Sequence, residues 1–146
     1  MSIDEQVAFL MRDTAACFSG HGETPYEWPQ RHSSVVLPKD IFVRVQGNVL
    51  GYIQKIMIDE STAHIGHIAC DGAYVRRSVT STILRAFACE VEARYGVVLI
   101  VFKERATGYE EKGYPQFFSA LGARQLSLTR GQKEGRNDYE WRNKNW

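Results

Sequence analysis

The sequence predicts a mixed α/β domain in which a long helix connects two strands of a central sheet. Its hydrophobic residues recur with a period of two from residue 41 to residue 70 and with a period near four from residue 75 to residue 95. The first period is typical of strands and the second of helices. The 146 residues, 44% hydrophobic and 24% charged, have the composition of one globular domain, so we expect residues 1–146 to form a single domain. This composition excludes a disordered or collagen-like chain.

A capped helix is expected at the start of the chain. From residue 3 to residue 18 the apolar side chains recur at helical spacing, and Ser2 with Glu5 forms a capping-box pattern. Two glycines then end the helical pattern. The following stretch, residues 19–39, contains three prolines, so we expect it to be irregular or to hold at most one short helix.

Three antiparallel strands are expected next. Residues 41–46 and 49–58 flank Gly47-Asn48, a pair that tolerates positive φ, and this arrangement predicts a tight hairpin. After a short turn, residues 62–70 alternate between apolar and polar positions and form the third strand.

A long helix is the clearest element of the second half. Apolar residues lie four apart between Val75 and Tyr95, so we expect a helix from about Ala73 to Tyr95, ended by Gly96. The uninterrupted apolar run of residues 97–102 is typical of a strand that is buried on both faces and parallel to a neighbour. Strand, helix and strand together predict a right-handed crossover.

A short helix and a hairpin are expected to complete the chain. Residues 114–121 have an apolar helical face and are followed by Gly122, a residue common after helix ends. Two strands, residues 124–128 and 139–142, then follow, joined by a loop over residues 129–138.

The order of these elements and two short motifs resemble the GNAT (GCN5-related N-acetyltransferase) superfamily. In that family an Arg/Gln-x-x-Gly-x-Gly/Ala turn opens a helix, and residues 74–84 here, Tyr-Val-Arg-Arg-Ser-Val-Thr-Ser-Thr-Ile-Leu, have the same shape. Residues 117–123, Phe-Phe-Ser-Ala-Leu-Gly-Ala, are similar to its Phe-Tyr-x-x-Leu-Gly-Phe motif. The resemblance implies a GNAT-like central mixed sheet with a long helix between the fourth and fifth strands.

The resemblance also implies a coenzyme A site at the start of the long helix. Free N–H groups and the helix dipole suit a pyrophosphate there, and glycines let the backbone approach it closely. The motif is degenerate in this chain, because Ser78 and Thr80 replace the two glycines and Val75 replaces the Arg/Gln residue. The hydroxyl groups and two adjacent arginines still supply donors for phosphate. The implied ligands of coenzyme A are Arg76, Arg77, Ser78, Val79, Thr80 and Ser81.

Two catalytic positions follow from the same resemblance. The family tyrosine that returns a proton to the coenzyme A thiolate is replaced by Phe118, so Tyr114, one helical turn earlier, or water is the implied proton donor. A general base is expected on the strand of residues 62–70, where His67 is the candidate and His64 the alternative. Because the two histidines differ in strand parity, at most one is expected to face the cleft. The alternative for each is a strand histidine that faces solvent or makes a hydrogen bond in the core.

Two functions of different classes remain open. The first is an acyl-CoA-dependent N-acetyltransferase, weakly active or inactive, that would use acetyl-CoA and a small-molecule or protein amine. The second is a catalytically silent GNAT-like structural or interaction protein with a protein partner in an assembly. GNAT-like components of tailed-phage virions or internal cores are loosely similar and exemplify this second class.

Charge, hydropathy and cysteine usage argue against several other classes. The 18 basic and 17 acidic residues leave a formal charge of +1 without a basic stripe, so we expect no nucleic-acid partner. The longest apolar run has six residues against the roughly 20 of a membrane-spanning helix. We therefore expect no membrane partner and a cytoplasmic location, or a place within a phage virion for the second function. Three cysteines without Cys-x-x-Cys spacing predict no metal site.

Overall fold

The computed structural model describes residues 1–30, 34–37, 39–103, 114–126 and 138–146, excluding the side chains of residues 34–36, 114 and 115. Three α-helices lie in these residues, and three short 3₁₀ turns separate other elements. The helices are α1 (Ile3–Arg12), α2 (Val79–Tyr95) and α3 (Tyr114–Leu121). The 3₁₀ turns are Ala15–Cys17, Gly72–Tyr74 and Asn143–Asn145. None of the described helices is long and apolar enough to cross a bilayer.

Eight strands form one mixed sheet in the described part of the chain. They are β1 (Phe18–Ser19), β2 (Ser34–Val36), β3 (Ile41–Val45), β4 (Asn48–Asp59), β5 (Thr62–Cys70), β6 (Leu99–Phe102), β7 (Arg124–Gln125) and β8 (Tyr139–Arg142). The spatial order is β1-β3-β4-β5-β6-β8-β7, and β2 pairs with the later half of β4. Only the β5–β6 pair is parallel among these. The predicted mixed sheet is confirmed, and α2 connects the fourth and fifth strands of this order.

Both α2 and α3 pack on the same face of the sheet, because both contact Trp141 of β8. The indole Nε1–H of Trp141 donates to the carbonyl of Leu121 in α3 at 2.9 Å. The guanidinium of Arg85 in α2 lies 5.6 Å from the centroid of the Trp141 ring. Trp141 is completely buried, and it lies in the same hydrophobic core as the buried residues of β3, β4, β5 and β6.

A paired irregularity in β4 and β5 changes which residues face the helices. Lys55 has a φ of 57°. It lies opposite Gly66, because the residues on either side of it pair with His67 and Ile65. A Cβ on Gly66 would lie 2.6 Å from the Cβ of Lys55, so only glycine fits there. Ile65 and Ile68 are consequently both fully buried, although a regular strand would point residues three apart to opposite faces.

The predicted parity of the two histidines is therefore wrong. Ile68 is in register with Ile53 of β4, two residues after Gly51, which α2 covers. Ile65 is in register with Phe102 of β6, and the Phe102 ring lies beside the Trp141 indole that α2 and α3 both contact. Because Ile65 and Ile68 both face the helices, His64 and His67 both lie on the opposite side of the sheet. Each of them is half-buried.

The opening helix ends at Arg12, six residues earlier than the sequence pattern predicts. Asp13 leaves the helical region with a φ of −156°, and its carboxylate accepts a hydrogen bond from the N–H of Ala16 at 3.3 Å. Thr14 donates its hydroxyl to the carbonyl of Leu10 at 2.9 Å. Asp and Thr side chains thus take over backbone partners that a continuing helix would use. The chain then enters β1, so part of the stretch expected to be irregular is extended.

Three other boundaries also differ from the prediction. Residues 19–39 hold the strand Ser34–Val36 and the end of β1, so they are not wholly irregular. The long helix begins at Val79 rather than near Ala73, because left-handed residues separate it from the preceding 3₁₀ turn. The run expected as a strand from residue 97 is one only from Leu99. Residues 127–137, where the end of one predicted strand and most of the last loop fall, lie outside the described residues.

We predict that Gly51→Ala destabilises the protein because α2 lies directly on this glycine. An added Cβ would lie 2.8 Å from the carbonyl oxygen of Ala69 and 3.0 Å from Cδ1 of Ile83. Overpacking of this kind typically costs about 1–3 kcal/mol of unfolding free energy, which urea denaturation measures. Gly72→Ala is the matched control, because its Cβ would meet no atom within 4 Å. Equal stability of the two variants would contradict the close packing of α2 on β4.

Candidate cofactor and acceptor site

The strand β5 extends beyond its last described pairing with the parallel strand β6. β6 pairs with it at four positions, from Thr62↔Leu99 to Ile65↔Phe102, and the N–H of Lys103 then donates to the carbonyl of Ile65 at 3.2 Å. Residues 66–70 of β5 pair with β4 alone among the described residues. The edge of β5 that faces away from β4 therefore carries backbone groups without a described strand partner.

A cavity of about 480 Å³ lies where β5 ends and α2 begins, and α3 forms its other wall. Its lining includes five of the six residues predicted to bind coenzyme A. The lining residues are Cys70, Tyr74, Val75, Arg76, Ser78, Val79, Thr80, Ser81, Arg85, Phe117, Ala120 and Leu121. A strand end, a helix start and the face of a second helix thus meet around one space.

The first turn of α2 presents uncommitted N–H groups to this cavity. Ser78 adopts the left-handed conformation, with φ 60° and ψ 20°, and its side chain does not cap the helix. The first backbone bond of α2 runs from the N–H of Thr82 to the carbonyl of Ser78 at 3.1 Å. The N–H groups of Val79, Thr80 and Ser81 precede it and have no acceptor within the helix. Together with the positive end of the helix dipole they favour an anion.

Two arginines line the cavity, and a third turns away from it. Arg76 is exposed and takes a left-handed backbone conformation with a φ of 65°. Arg85 lies one turn after Ser81 on α2 and donates to the carbonyl of Asn145 at 3.2 Å. Arg77 forms an ion pair with Asp4 of α1 and does not line the cavity, so its assignment to phosphate stays a prediction.

The predicted cofactor ligands do not include Arg85, although its spacing from Ser81 indicates that it lies on the same side of α2. Arg85 stands four residues after Ser81, and residues four apart lie on the same face of a helix. Tyr74 was also missed. Tyr74 lines the cavity at the end of the 3₁₀ turn Gly72–Tyr74. The Asp71 carboxylate caps this turn by accepting from the N–H of Ala73 at 3.0 Å, and an aspartate at a capping position is the sequence signal for such a turn.

Within α3, the two adjacent phenylalanines have different environments. Phe118 is completely buried, with its ring stacked on that of Tyr139 at a centroid distance of 4.1 Å. Phe117 lines the cavity instead. Tyr114 is the first residue of α3, but its side chain lies outside the described part of the structure, so its role as proton donor stays a prediction.

On the opposite side of the sheet, His67 lies in the part of β5 that β6 does not cover. Its Nε2 is 3.1 Å from the hydroxyl oxygen of Tyr52 on β4. The two rings are 5.5 Å apart between centroids. His67 is half-buried, so its imidazole is within reach of a ligand that approaches from solvent.

The other candidate base, His64, has a different electrostatic environment. Burial lowers the pKa of His64 below its ordinary value of 6.5, and the positive charge of Lys103 lowers it further. The carboxylates of Asp59 and Asp138 oppose this shift. The combined effect is downward, so the imidazole of His64 holds a proton less readily than an ordinary histidine does. The described residues contain no group of three or more His, Cys, Asp or Glu side chains placed to hold a metal ion.

We predict that Ser78→Gly stabilises the protein, whereas Ser81→Gly destabilises it. A side chain in the left-handed region is strained, so glycine at position 78 should raise the unfolding free energy by about 0.5–1 kcal/mol. Ser81 lies inside the helix, where glycine costs a similar amount, and its hydroxyl bond to the carbonyl of Ser78 is lost as well. Urea denaturation of both variants measures the difference. Destabilisation by Ser78→Gly would contradict the left-handed helix start.

Comparisons of the sequence alone give no match, either to a protein-family model or to a curated protein. Solved structures do match. Superposition with the ribosomal-protein-S18-alanine N-acetyltransferase from Escherichia coli covers 96% of this chain and 87% of that chain, with 15% identity and a TM-score of 0.53.

Two further structures are similar over a shorter part of the chain. The PaiA N-acetyltransferase from Thermoplasma acidophilum, solved in complex with coenzyme A, is 12% identical over 70% of this chain and 59% of that chain, with a TM-score of 0.54. An acetyltransferase of the GNAT family from Staphylococcus aureus is 12% identical over 72% and 67% of the two chains, with a TM-score of 0.53. The helix between the fourth and fifth sheet strands and these superpositions lead to one conclusion: this chain has the GNAT fold.

Proposed function

We propose that the protein is an acyl-CoA-dependent N-acetyltransferase that binds acetyl-CoA at the start of α2. One observation carries this proposal: the cavity joins the N–H groups of residues 79–81, which have no acceptor among the described residues, to two arginine side chains, Arg76 and Arg85. This donor set fits a pyrophosphate, which carries negative charge and several acceptor oxygens. A structural neighbour with the same fold was solved with coenzyme A, which supports the same ligand class here.

The replacement of the family glycines leaves room for this ligand. Ser78 already takes the left-handed backbone conformation for which glycine is usually required, so its carbonyl starts the helix without the glycine. Thr80 is buried. The backbone N–H groups that would meet the phosphates are therefore available even though both motif glycines are absent.

The apolar side of the cavity suits the less polar arm of the cofactor. Val79, Phe117 and Leu121 line it, and the edge of β5 at residues 66–69, which has no strand partner other than β4 among the described residues, offers backbone donors and acceptors for amide groups. An N–H on that edge would polarise a thioester carbonyl as negative charge develops on its oxygen.

Acetyl-CoA, when bound, supplies an activated thioester, and the protein contributes orientation and proton transfer. We assign His67 as the base that accepts a proton from the substrate ammonium, because it is half-buried and lies on the part of β5 that has no β6 partner among the described residues. Tyr114, at the start of α3, is assigned to return a proton to the departing sulfur. Holding an amine against the thioester raises its effective concentration, which supplies much of the rate in such transfers.

A second candidate function is a GNAT-like protein without transferase activity. The observation in its favour is the burial of Phe118, which stands where the family tyrosine is expected and has no hydroxyl to donate. A phage-virion setting for such a protein stays a prediction from the resemblance alone. Binding of acetyl-CoA without any thiol release would favour this second candidate.

We predict that Arg76→Ala and Arg85→Ala each weaken acetyl-CoA binding about tenfold. Each removes a charged donor from the cavity, and a hydrogen bond to a charged group contributes roughly 1.5–3 kcal/mol. Arg77→Ala should have a smaller effect, because Arg77 must first leave Asp4 to reach the anion. Isothermal titration calorimetry measures all three.

Arg94→Ala is the matched control for these arginine variants. Arg94 lies on the same helix, but it pairs with Glu90 at 2.8 Å and is not a cavity residue. Its replacement should leave the affinity unchanged. If Arg76→Ala and Arg85→Ala bind acetyl-CoA as tightly as the parent does, the pyrophosphate is not at this helix start.

We predict slow acetyl transfer to generic amines, further reduced by Tyr114→Phe. General acid catalysis contributes about 10²–10⁴ in rate, so losing the hydroxyl should lower kcat while acetyl-CoA affinity stays nearly constant. Phe118→Tyr should restore nothing, because its ring is fully buried against Tyr139. Thiol release from acetyl-CoA, followed with a chromogenic thiol reagent, measures each rate. Fast release that Tyr114→Phe leaves unchanged would refute this assignment.

A further inference from the structure

We propose that Tyr52 is a positioning residue that holds His67 in the tautomer whose Nδ1 is free to accept a proton. This inference rests on the proposed function, in which His67 is the base for the acceptor amine. The two side chains come from adjacent strands, Tyr52 from β4 and His67 from β5, and their register fixes them as diagonal neighbours: Gln54 is opposite His67, and Tyr52 is opposite Ala69.

The pairing is specific to one ring nitrogen. The hydroxyl oxygen of Tyr52 is 3.1 Å from Nε2 of His67, a normal hydrogen-bond length. Among the described residues, Nδ1 of His67 has no hydrogen-bond partner. One nitrogen is thus committed to tyrosine and the other is open to a ligand.

The irregularity at Gly66 places this pair just beyond the last described pairing of β5 with β6. His67 is the first residue after that glycine and the second after the last β6 partner, Ile65. Without the change of phase, a regular strand would direct His67 to the same face as Ile65, into the core. The irregularity therefore brings the imidazole to the side opposite the cofactor cavity, where an acceptor can approach.

Packing restrains the Tyr52 ring and so fixes the direction of its hydroxyl. The ring of Phe42 on β3 lies 6.2 Å from that of Tyr52. Phe42 is flanked in turn by the ring of His21, 5.0 Å away, and by the guanidinium of Arg44, 5.4 Å from its centroid. A restrained partner limits the rotation of the imidazole more than a water molecule would.

The tautomer decides which ring nitrogen of His67 can accept a proton. When Nε2–H donates to the Tyr52 oxygen, Nδ1 carries a lone pair. The N–H bond of the substrate ammonium then breaks, its proton passes to Nδ1, and the electron pair stays on the amine nitrogen for attack on the thioester. The charged imidazolium keeps its Nε2–H bond to Tyr52, now as a stronger charge-assisted bond. The opposite tautomer would place a proton on Nδ1 and block this step.

The test combines nitrogen NMR of the imidazole with kinetics of Tyr52→Phe. In the ¹⁵N-labelled wild-type protein, the neutral form of the His67 ring should be the Nε2–H tautomer. In Tyr52→Phe, the ring should move towards the mixture of tautomers found for a solvent-exposed histidine. The variant should also lose roughly tenfold in kcat while its KM for acetyl-CoA stays constant, because Tyr52 is not among the residues that line the cofactor cavity.

Tyr95→Phe is the matched control. Tyr95 is the last residue of α2, and its hydroxyl donates to the carbonyl of Pro29. Removing this hydroxyl should change neither the His67 tautomer nor kcat. The wild-type spectrum needs no variant, so poor folding of Tyr52→Phe would still leave the tautomer measured.

The outcomes separate this inference from the proposed function. A wild-type His67 with its proton on Nδ1, or a tautomer and kcat that Tyr52→Phe leaves unchanged, would overturn the role of Tyr52 while acetyl transfer stands. Acetyl-CoA binding with no thiol release by the wild-type protein would overturn the transferase assignment and any catalytic use of the pair. The expected tautomer together with the selective loss of kcat supports both.

Discussion

The short pairing between β5 and β6 is the constraint on which the rest of the site depends. Four residue pairs join these parallel strands, and β5 then continues through residues 66–70 beside β4 alone in the described structure. The cofactor cavity lies at the end of this segment, and His67 lies within it. Lengthening the β6 pairing would fill the edge that the proposed function assigns to the thioester. The site therefore follows from the register of two strands.

The second requirement is that α2 begins at a fixed place on the sheet. Ile83 packs on Gly51, where no side chain intervenes, so the helix lies close to β4. The left-handed residue Ser78 then turns the chain from the 3₁₀ turn into the helix, which leaves three N–H groups facing the cavity. Close packing thus aligns the positive end of the helix dipole with the space that receives an anion.

Elements with a repeating hydrophobic pattern could be predicted from the sequence, whereas features that depend on contacts between residues far apart in the chain could not. The four-residue period of α2 and the apolar run of β6 identified the crossover, since both patterns are local. The pair of Arg77 with Asp4 joins residues 73 positions apart, so no local pattern indicated that this arginine turns away. The irregularity opposite Lys55 likewise depends on two strands together, and it moved His67 and His64 to one side of the sheet. Five of the six predicted cofactor ligands nevertheless line one cavity.

Amide NMR during titration with coenzyme A shows where the ligand binds without requiring catalysis. If the start of α2 is the cofactor site, the largest shifts fall on residues 78–81, with smaller ones at Arg85 and Phe117 around the same cavity. The separate basic cleft beside Arg124 and Lys144 should remain unperturbed. An absence of shifts at saturating coenzyme A, or shifts confined to that basic cleft, would contradict the assignment of the start of α2 as the cofactor site.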